Sequence, residues 1–303
     1  FLVVLINALL VDLGFSLGRG ERKKIIVFHA FLVFFLIMAC LVWGSYKLHL
    51  VSFSVPKEKL SVALIQPNID QMEKMDPRKV LSIYEIHEQM SRQAAADIIV
   101  WPETAIFTYL LRDNFYLSRV RKLAMDSQAW LIIGTPHYED NKIYNSLVVI
   151  SPSGEVGSRY DKEHLVPFGE YLPFRGILYP WLRAVGYYDQ EFSPNPNPKL
   201  LTVKKVKIAP AICFESTFPG LVKKRVKMGA DFILTVTNDA WFGDSPAPYF
   251  HLNCGVFRAL ENRKYFVQVG NNGISAVIDP WGRIMKKSEL NQRTILTFEI
   301  PLT

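Results

Sequence analysis

Lys207–Glu215 reads KIAPAICFE, and how this stretch is read decides the fold. An unbroken apolar run that stops on a polar residue is the mark of a strand buried on both faces, since neither face has polar residues to offer water. Asp97–Glu103 (DIIVWPE) and Phe232–Thr237 (FILTVT) repeat the pattern. Strands are predicted at Ser61–Gln66, Asp97–Trp101, Trp130–Gly134, Ser146–Ile150, Lys207–Ile212, Phe232–Thr237, Tyr265–Val269, Ser275–Ile278 and Ile295–Phe298. Amphipathic stretches at Arg78–Ala96, Arg112–Ser127, Gly220–Met228 and Phe250–Arg263 alternate with them and predict helices, which makes this an α/β domain. Ser153-Gly154 and Asp279-Pro280, with Gly282 following, mark turns between strands. Ser193–Pro198 (SPNPNP) cannot enter a sheet interior and is predicted to be a loop.

Working outward, the 303 residues are half hydrophobic, and the excess lies before about residue 48. Ile25–Tyr46 holds about 22 residues with no Asp, Glu, Lys or Arg, enough to cross a hydrocarbon core of roughly 30 Å. Trp43 and Tyr46 suit the membrane interface. Phe1–Leu17 is a second apolar run, broken by Asn7 and Asp12, and reads as the tail of another membrane helix in a longer, multi-pass chain. Arg19, Arg22, Lys23 and Lys24 form a basic loop near 18–24 between the two runs. Short positive loops stay cytoplasmic, so residues 1–50 are expected to be membrane helices and residues 51–303 an extracytoplasmic domain, periplasmic where a second membrane exists.

Three cysteines, one of them inside the membrane run, exclude a disulfide framework. His251 and Cys254 form an H-x-x-C pair with no companion pair, which is ordinary packing rather than a metal site. A net charge of +7 suits anionic lipid headgroups, and no aromatic-plus-basic pattern points to nucleic acid.

Glu103, Lys162 and Cys213 each stand where an apolar strand ends, the place where α/β sheets gather their chemistry. Singly, each has an ordinary reading as a loop carboxylate, a solvated lysine or an inert core thiol. Together they supply a nucleophile, a base to take its proton and a cation to stabilise an oxyanion. The cation also favours the thiolate. No G-x-S-x-G elbow offers a serine alternative.

WPET at Glu103, YDKEHLVPFGEYLP across Lys162 and Glu170, ICFES at Cys213 and TNDAWFG at Thr237–Gly243 resemble the nitrilase (carbon–nitrogen hydrolase) superfamily. Within it they are most similar to its membrane branch, the apolipoprotein N-acyltransferases; RALE at Arg258–Glu261 and NNG at Asn271–Gly273 extend the likeness. The resemblance implies a four-layer α-β-β-α sandwich attached to transmembrane helices in a bacterial inner membrane. It implies Glu103 as general base, Lys162 as oxyanion stabiliser, Cys213 as nucleophile and Glu170 in support. Phe214, Glu215, Asn238, Trp241 and Met75 map to substrate-binding positions. Glu215 also reads as a helix-start carboxylate, and Trp241 as a core aromatic. The implied reaction is ping-pong transfer of an acyl chain from a phospholipid such as phosphatidylethanolamine, through a thioester, to a diacylated apolipoprotein. It needs no metal or nucleotide and is expected of a monomer. A membrane-tethered hydrolase of small amides uses the same triad and is the alternative.

The chain departs from the family pattern at two positions: Phe214 stands for Tyr, and Met75 for a frequent Trp. Phe174–Tyr188 is apolar and aromatic, either a core helix plus loop or an arm entering the outer leaflet. The basic runs Lys204–Lys207 and Lys223–Lys227 read as solvated faces.

Overall fold

The computed structural model describes residues 2–19, 23–51, 58–183, 191–243 and 245–302. It divides into two compact units, Phe1–Val55 and Pro56–Thr303. The first unit is helical: α1 spans Leu2–Arg19 and α2 spans Lys23–Val51. Within α2, Ile26–Tyr46 (21 residues) is long and apolar enough to cross a membrane, and Phe28, Phe31, Phe34 and Phe35 lie exposed along it. α1 contains a shorter apolar stretch, Val3–Asp12. Residues 20–22 of the basic loop lie outside the described residues.

The second unit opens with β1 (Glu58–Gln66), α3 (Gln71–Lys74), α4 (Val80–Gln93), β2 (Ile98–Val100), α5 (Asn114–Ser127) and β3 (Trp130–Glu139). Next come β4 (Lys142–Ile150), β5 (Val156–Asp161), α6 (Arg175–Arg183), β6 (Leu201–Val203), β7 (Val206–Ile212) and α7 (Pro219–Lys227). β8 (Phe232–Thr237), α8 (Ala247–Asn262), β9 (Phe266–Gly270), β10 (Ala276–Ile278), β11 (Ile284–Lys287) and β12 (Thr294–Leu302) complete it. The strands form two six-stranded sheets, ordered β12-β1-β2-β3-β4-β5 and β11-β10-β9-β8-β7-β6.

Side-chain alternation along the strands builds the layers. Leu60, Val62 and Leu64 of β1 enter one core with Ile208, Ile212, Leu234, Val236, Val267 and Val269 of the other sheet. The intervening Ala63 and Ile65 point the other way, against Tyr84 and Met90 of α4 and Val120 and Leu123 of α5. On the far side, Ala209, Ile233 and Phe266 pack on Val222 of α7 and on Leu252 and Ala259 of α8. The result is the α-β-β-α sandwich expected.

Every predicted strand and helix is present, with shifts at the ends. The predictions omitted β6 and β11, and named the chain of β5 only as the run before Lys162. β6 has three residues, and all four residues of β11 are exposed. Edge strands of this kind carry little apolar periodicity. Two other expectations are corrected. Phe174 and Trp181 flank and end the α6 region at 79% exposure each, so this segment is not a core helix; residues 184–190 lie outside the described residues. Arg225, inside the basic run read as solvated, is fully buried because Glu215 and Glu163 receive its guanidinium.

Candidate active site

β1, β2 and β3 run parallel, β5 shares their direction through the antiparallel β4, and β7, β8 and β9 run parallel in the other sheet. Their carboxyl ends deliver Lys74, Glu103, Lys162, Cys213, Asn238 and Asn271. Apart from the half-buried Cys213, these six residues are buried.

Glu103 sits in a tight turn after β2. Its neighbour Thr104 has φ 47°, and Ala105 N–H donates to the Gly134 carbonyl at 2.8 Å. That approach is possible only because Gly134 has no side chain: a Cβ there would strike the Pro102 carbonyl and lie 2.9 Å from Glu103 Cα. Asn145 Nδ2 donates to Glu103 Oε1 at 2.8 Å, and Asn238 N–H donates to Oε2 at 3.0 Å. Lys162 Nζ lies 3.7 Å from Glu103 and 2.8 Å from Glu170. Asn145 also donates to Glu170 at 2.8 Å, as does Val166 N–H at 2.9 Å. One Asn amide therefore ties the two carboxylates together. The SPNPNP loop backs this cluster, since Asn195 N–H donates to the Lys162 carbonyl at 3.0 Å.

Burial alone would lower the Lys162 pKa, but the charges of Glu103 and Glu170 outweigh it and raise the value. The ammonium is thus fixed as a cation.

Cys213 follows β7 with φ 51°, a left-handed conformation costing a non-glycine residue roughly 1–3 kcal/mol unless its surroundings enforce it. Here they do. The Glu215 carboxylate accepts from Ile212 N–H (2.8 Å), Tyr160 hydroxyl (2.8 Å), Glu163 N–H (2.9 Å), His164 N–H (3.0 Å) and the Arg225 guanidinium (3.0 Å). No part of Glu215 is exposed. On the other side His251 Nε2 lies 3.1 Å from the Cys213 carbonyl and 2.7 Å from Ser216 Oγ, while its Nδ1 lies 3.1 Å from Asp239. Both ring nitrogens of the H-x-x-C histidine are therefore engaged within the protein.

Burial, followed by the charge of Glu103, pushes the Cys213 thiol well above its ordinary value, and Lys162 only partly opposes them. The thiol is protonated at rest, unlike the thiolate that a neighbouring cation alone would favour. Among the carboxylates, Glu103 is the one whose charge the thiol feels most.

The remaining expected positions differ in setting. Asn238 spends its side chain on Gln71 (2.7 Å) and Asn271 (2.9 Å), so its backbone is the part that meets Glu103. Phe214 stacks edge-on against Phe218, with ring centroids 5.0 Å apart. Met75 and Trp241 are exposed, Trp241 at 67%, which excludes a core role for it. Asn145 and Lys74 are members of the cluster that sequence reasoning missed. A lone Asn within the apolar IYNSLVVI strand was the available signal for the first.

Residues 61–303 match the sequence model of the Carbon-nitrogen hydrolase family. The chain is 36% identical over its whole length to the apolipoprotein N-acyltransferase of Geobacter metallireducens, covering 59% of that protein. It is 34% identical, again over its whole length, to the one of Haemophilus ducreyi, covering 60% of it. The match to the one of Allorhizobium ampelinum is 38% over 82% of this chain and 49% of the relative. The chain thus spans about half to three fifths of these curated relatives. Among solved structures, an amidase of Nesterenkonia AN1 from the nitrilase superfamily superposes with a TM-score of 0.60 at 20% identity, over 82% of this chain and 93% of the amidase. The C. elegans NitFhit protein superposes with 0.63 at 18%, over 82% of this chain and 62% of NitFhit. Sequence match and sandwich agree: the chain belongs to the carbon–nitrogen hydrolase family.

Proposed function

We propose that this site carries out N-acyl transfer at a membrane, from phospholipid to the N-terminal diacylglyceryl-cysteine of a lipoprotein. The observation that carries the reading is one chain holding both a half-buried thiol, in the field of a carboxylate and an ammonium 3.7 Å apart, and a helix of membrane-spanning length. The named N-acyltransferases it resembles supply the substrate class.

In the first half-reaction Glu103 takes the Cys213 proton as the sulfur attacks the ester carbonyl of the donor. Charge develops on the carbonyl oxygen, where Lys162 and the N–H following the nucleophile stabilise it, each worth a few kcal/mol. Collapse breaks the C–O bond. The lysophospholipid alkoxide leaves with the proton from Glu103, and the acyl chain remains on Cys213 as a thioester. In the second, the α-amino group of the acceptor attacks the thioester and gives a proton to Glu103. The C–S bond breaks, and the sulfur recovers a proton. Glu170 and Asn145 hold Lys162 and Glu103 in register throughout.

Phosphatidylethanolamine is the proposed donor, and no metal or nucleotide takes part. The exposed Phe174, Ile177, Trp181, Trp241, Phe214 and Met75 are proposed to meet the lipid substrates. Residues 1–50 are proposed as part of a multi-pass anchor in a bacterial inner membrane, with residues 51–303 on the periplasmic side and the protein acting as a monomer.

The test is turnover with phosphatidylethanolamine and a diacylated lipopeptide. Triacylated lipopeptide and lysophospholipid in equal amounts are expected. Ammonia release from small amides without any lipopeptide acylation would establish the tethered amide hydrolase instead.

A further inference from the structure

Lys74 ends α3, a single short turn whose start is capped by the Asp70 carboxylate, accepting from Met72 N–H at 2.7 Å. Lysines at such positions ordinarily extend into water. This one is 5% exposed, and its Nζ donates to the main-chain carbonyl of Glu103 at 3.0 Å. That is the single hydrogen bond it makes among the described residues. α3 is fixed to the site at its other end too, where Gln71 accepts from Asn238, whose N–H holds the Glu103 carboxylate. Lys74 therefore grips the Glu103 turn from behind while Asn238 and Asn145 grip its carboxylate.

Charge accounting shows why a buried ammonium belongs here. Glu103 and Glu170 place two carboxylates around one lysine, Lys162. Asp239 is paired separately with His251. With Lys162 as the one cation the cluster would carry an excess negative charge, and forming a thiolate beside it would oppose like charge. Lys74 interacts electrostatically with both Glu103 and Cys213, and brings the cluster to two carboxylates and two ammonium groups. Burial is the larger influence on Lys74 itself and draws its pKa down to about 8, against the opposing pull of Glu103 and Cys213. An ammonium is thus held near neutral pH at a site that resists it.

We propose that Lys74 is a positioning residue of this active site: it fixes the Glu103 turn through the main chain and supplies the second buried cation against which charge on Cys213 forms. The proposal rests on Cys213 being the nucleophile and Glu103 its base.

The test is the rate of Cys213 alkylation by iodoacetamide from pH 6 to 10, in detergent-solubilised full chain, with labelled peptides resolved by mass spectrometry so that Cys40 and Cys254 do not contribute. Lys74→Met and Lys74→Gln remove the charge, Gln retaining a donor; Lys74→Arg retains both. Wild-type protein and Lys74→Arg are expected to react at rates within about threefold of each other. Both uncharged variants are expected to react at least tenfold more slowly at pH 7, with the rise in rate displaced to higher pH. Circular dichroism selects the variants that fold. A folded Met or Gln variant with the wild-type rate and pH profile overturns the role of Lys74 while leaving the triad standing. A folded wild-type protein whose Cys213 takes no acyl group from phosphatidylethanolamine overturns the nucleophile reading itself, whatever the alkylation profiles of the Lys74 variants.

Discussion

Two buried carboxylates lie on either side of Cys213, the proposed nucleophile, and they are held in opposite ways. Glu215, behind Cys213, takes a tyrosine hydroxyl, three backbone N–H groups and an arginine, so its oxygens are saturated. Glu103, across from the thiol, takes one amide N–H on one oxygen and one backbone N–H on the other, with the Lys162 ammonium held off at 3.7 Å. A saturated carboxylate cannot accept a proton without breaking strong bonds. One held by two hydrogen bonds, with a cation close but not clamped, can. The difference separates a strut from the proposed base, although both residues stand three positions past the end of a buried strand.

Breaking each side should have a different signature. Glu103→Gln keeps the shape and removes the proton acceptor; acyl transfer is expected to fall by roughly 10²–10⁴-fold with the melting temperature little changed. Turnover and thermal unfolding of the same preparation check both halves. Glu215→Gln takes from the fully buried Arg225 its closer carboxylate and leaves Glu163 alone to balance it, and a loss of about 3 kcal/mol of stability is expected, read by denaturant unfolding of the solubilised chain. Equal thermal behaviour of the two variants would dissolve the contrast.

Lys74 sharpens it through pH. Its folded pKa of about 8 lies below the ordinary 10.5, so the unfolded chain binds more protons between these values. Stability should therefore rise with pH across that window, the full cost being present below pH 8 and gone above 10.5. The cost is on the order of 1–3 kcal/mol. Lys74→Met lacks this term, so wild type should gain stability relative to the variant as pH rises from 8 to 10.5, whichever is the more stable at the start.

Gly134→Ala acts on the working side alone. Its new methyl meets the Pro102 carbonyl and the Glu103 main chain, costing about 1–3 kcal/mol of stability. A displaced base would reduce turnover by up to roughly 10²-fold with alkylation of Cys213 slowed alongside. The smallest effect is expected at the surface. Trp241→Ala should change stability by no more than about 0.5 kcal/mol and, if Trp241 meets lipid, raise KM for the phospholipid with kcat nearly unchanged.

How much of this was legible in the sequence follows from what kind of signal each residue left. Glu103 and Cys213 stood out because each ends a strongly apolar run, an interruption visible in one dimension, whereas Lys162 follows the mixed run VGSRYD and leaves a weaker mark. Glu170 was found through a resemblance in HLVPFGEYLP, not through any periodicity. Arg225 was hidden in a basic run, and only the fold reveals that Glu215, ten residues earlier, and Tyr160, on the other sheet, receive it. Lys74 was hidden the same way. The KMD string drew attention to Met75, whereas the burial of its neighbour depends on a turn formed 29 residues later. β11 escaped because its four exposed residues need no apolar code, and β6 because three residues are too few to show a period, although Leu201 and Val203 are fully buried.

The central claim is that Cys213 carries the acyl chain, and mass spectrometry of the protein extracted from membranes tests it most directly. After exposure to phosphatidylethanolamine without acceptor, the Cys213 peptide is expected to gain the mass of one fatty acid less water, and to lose it when diacylated lipopeptide is added. An unmodified Cys213 peptide under these conditions, with acyl transfer persisting in Cys213→Ala, would contradict the account.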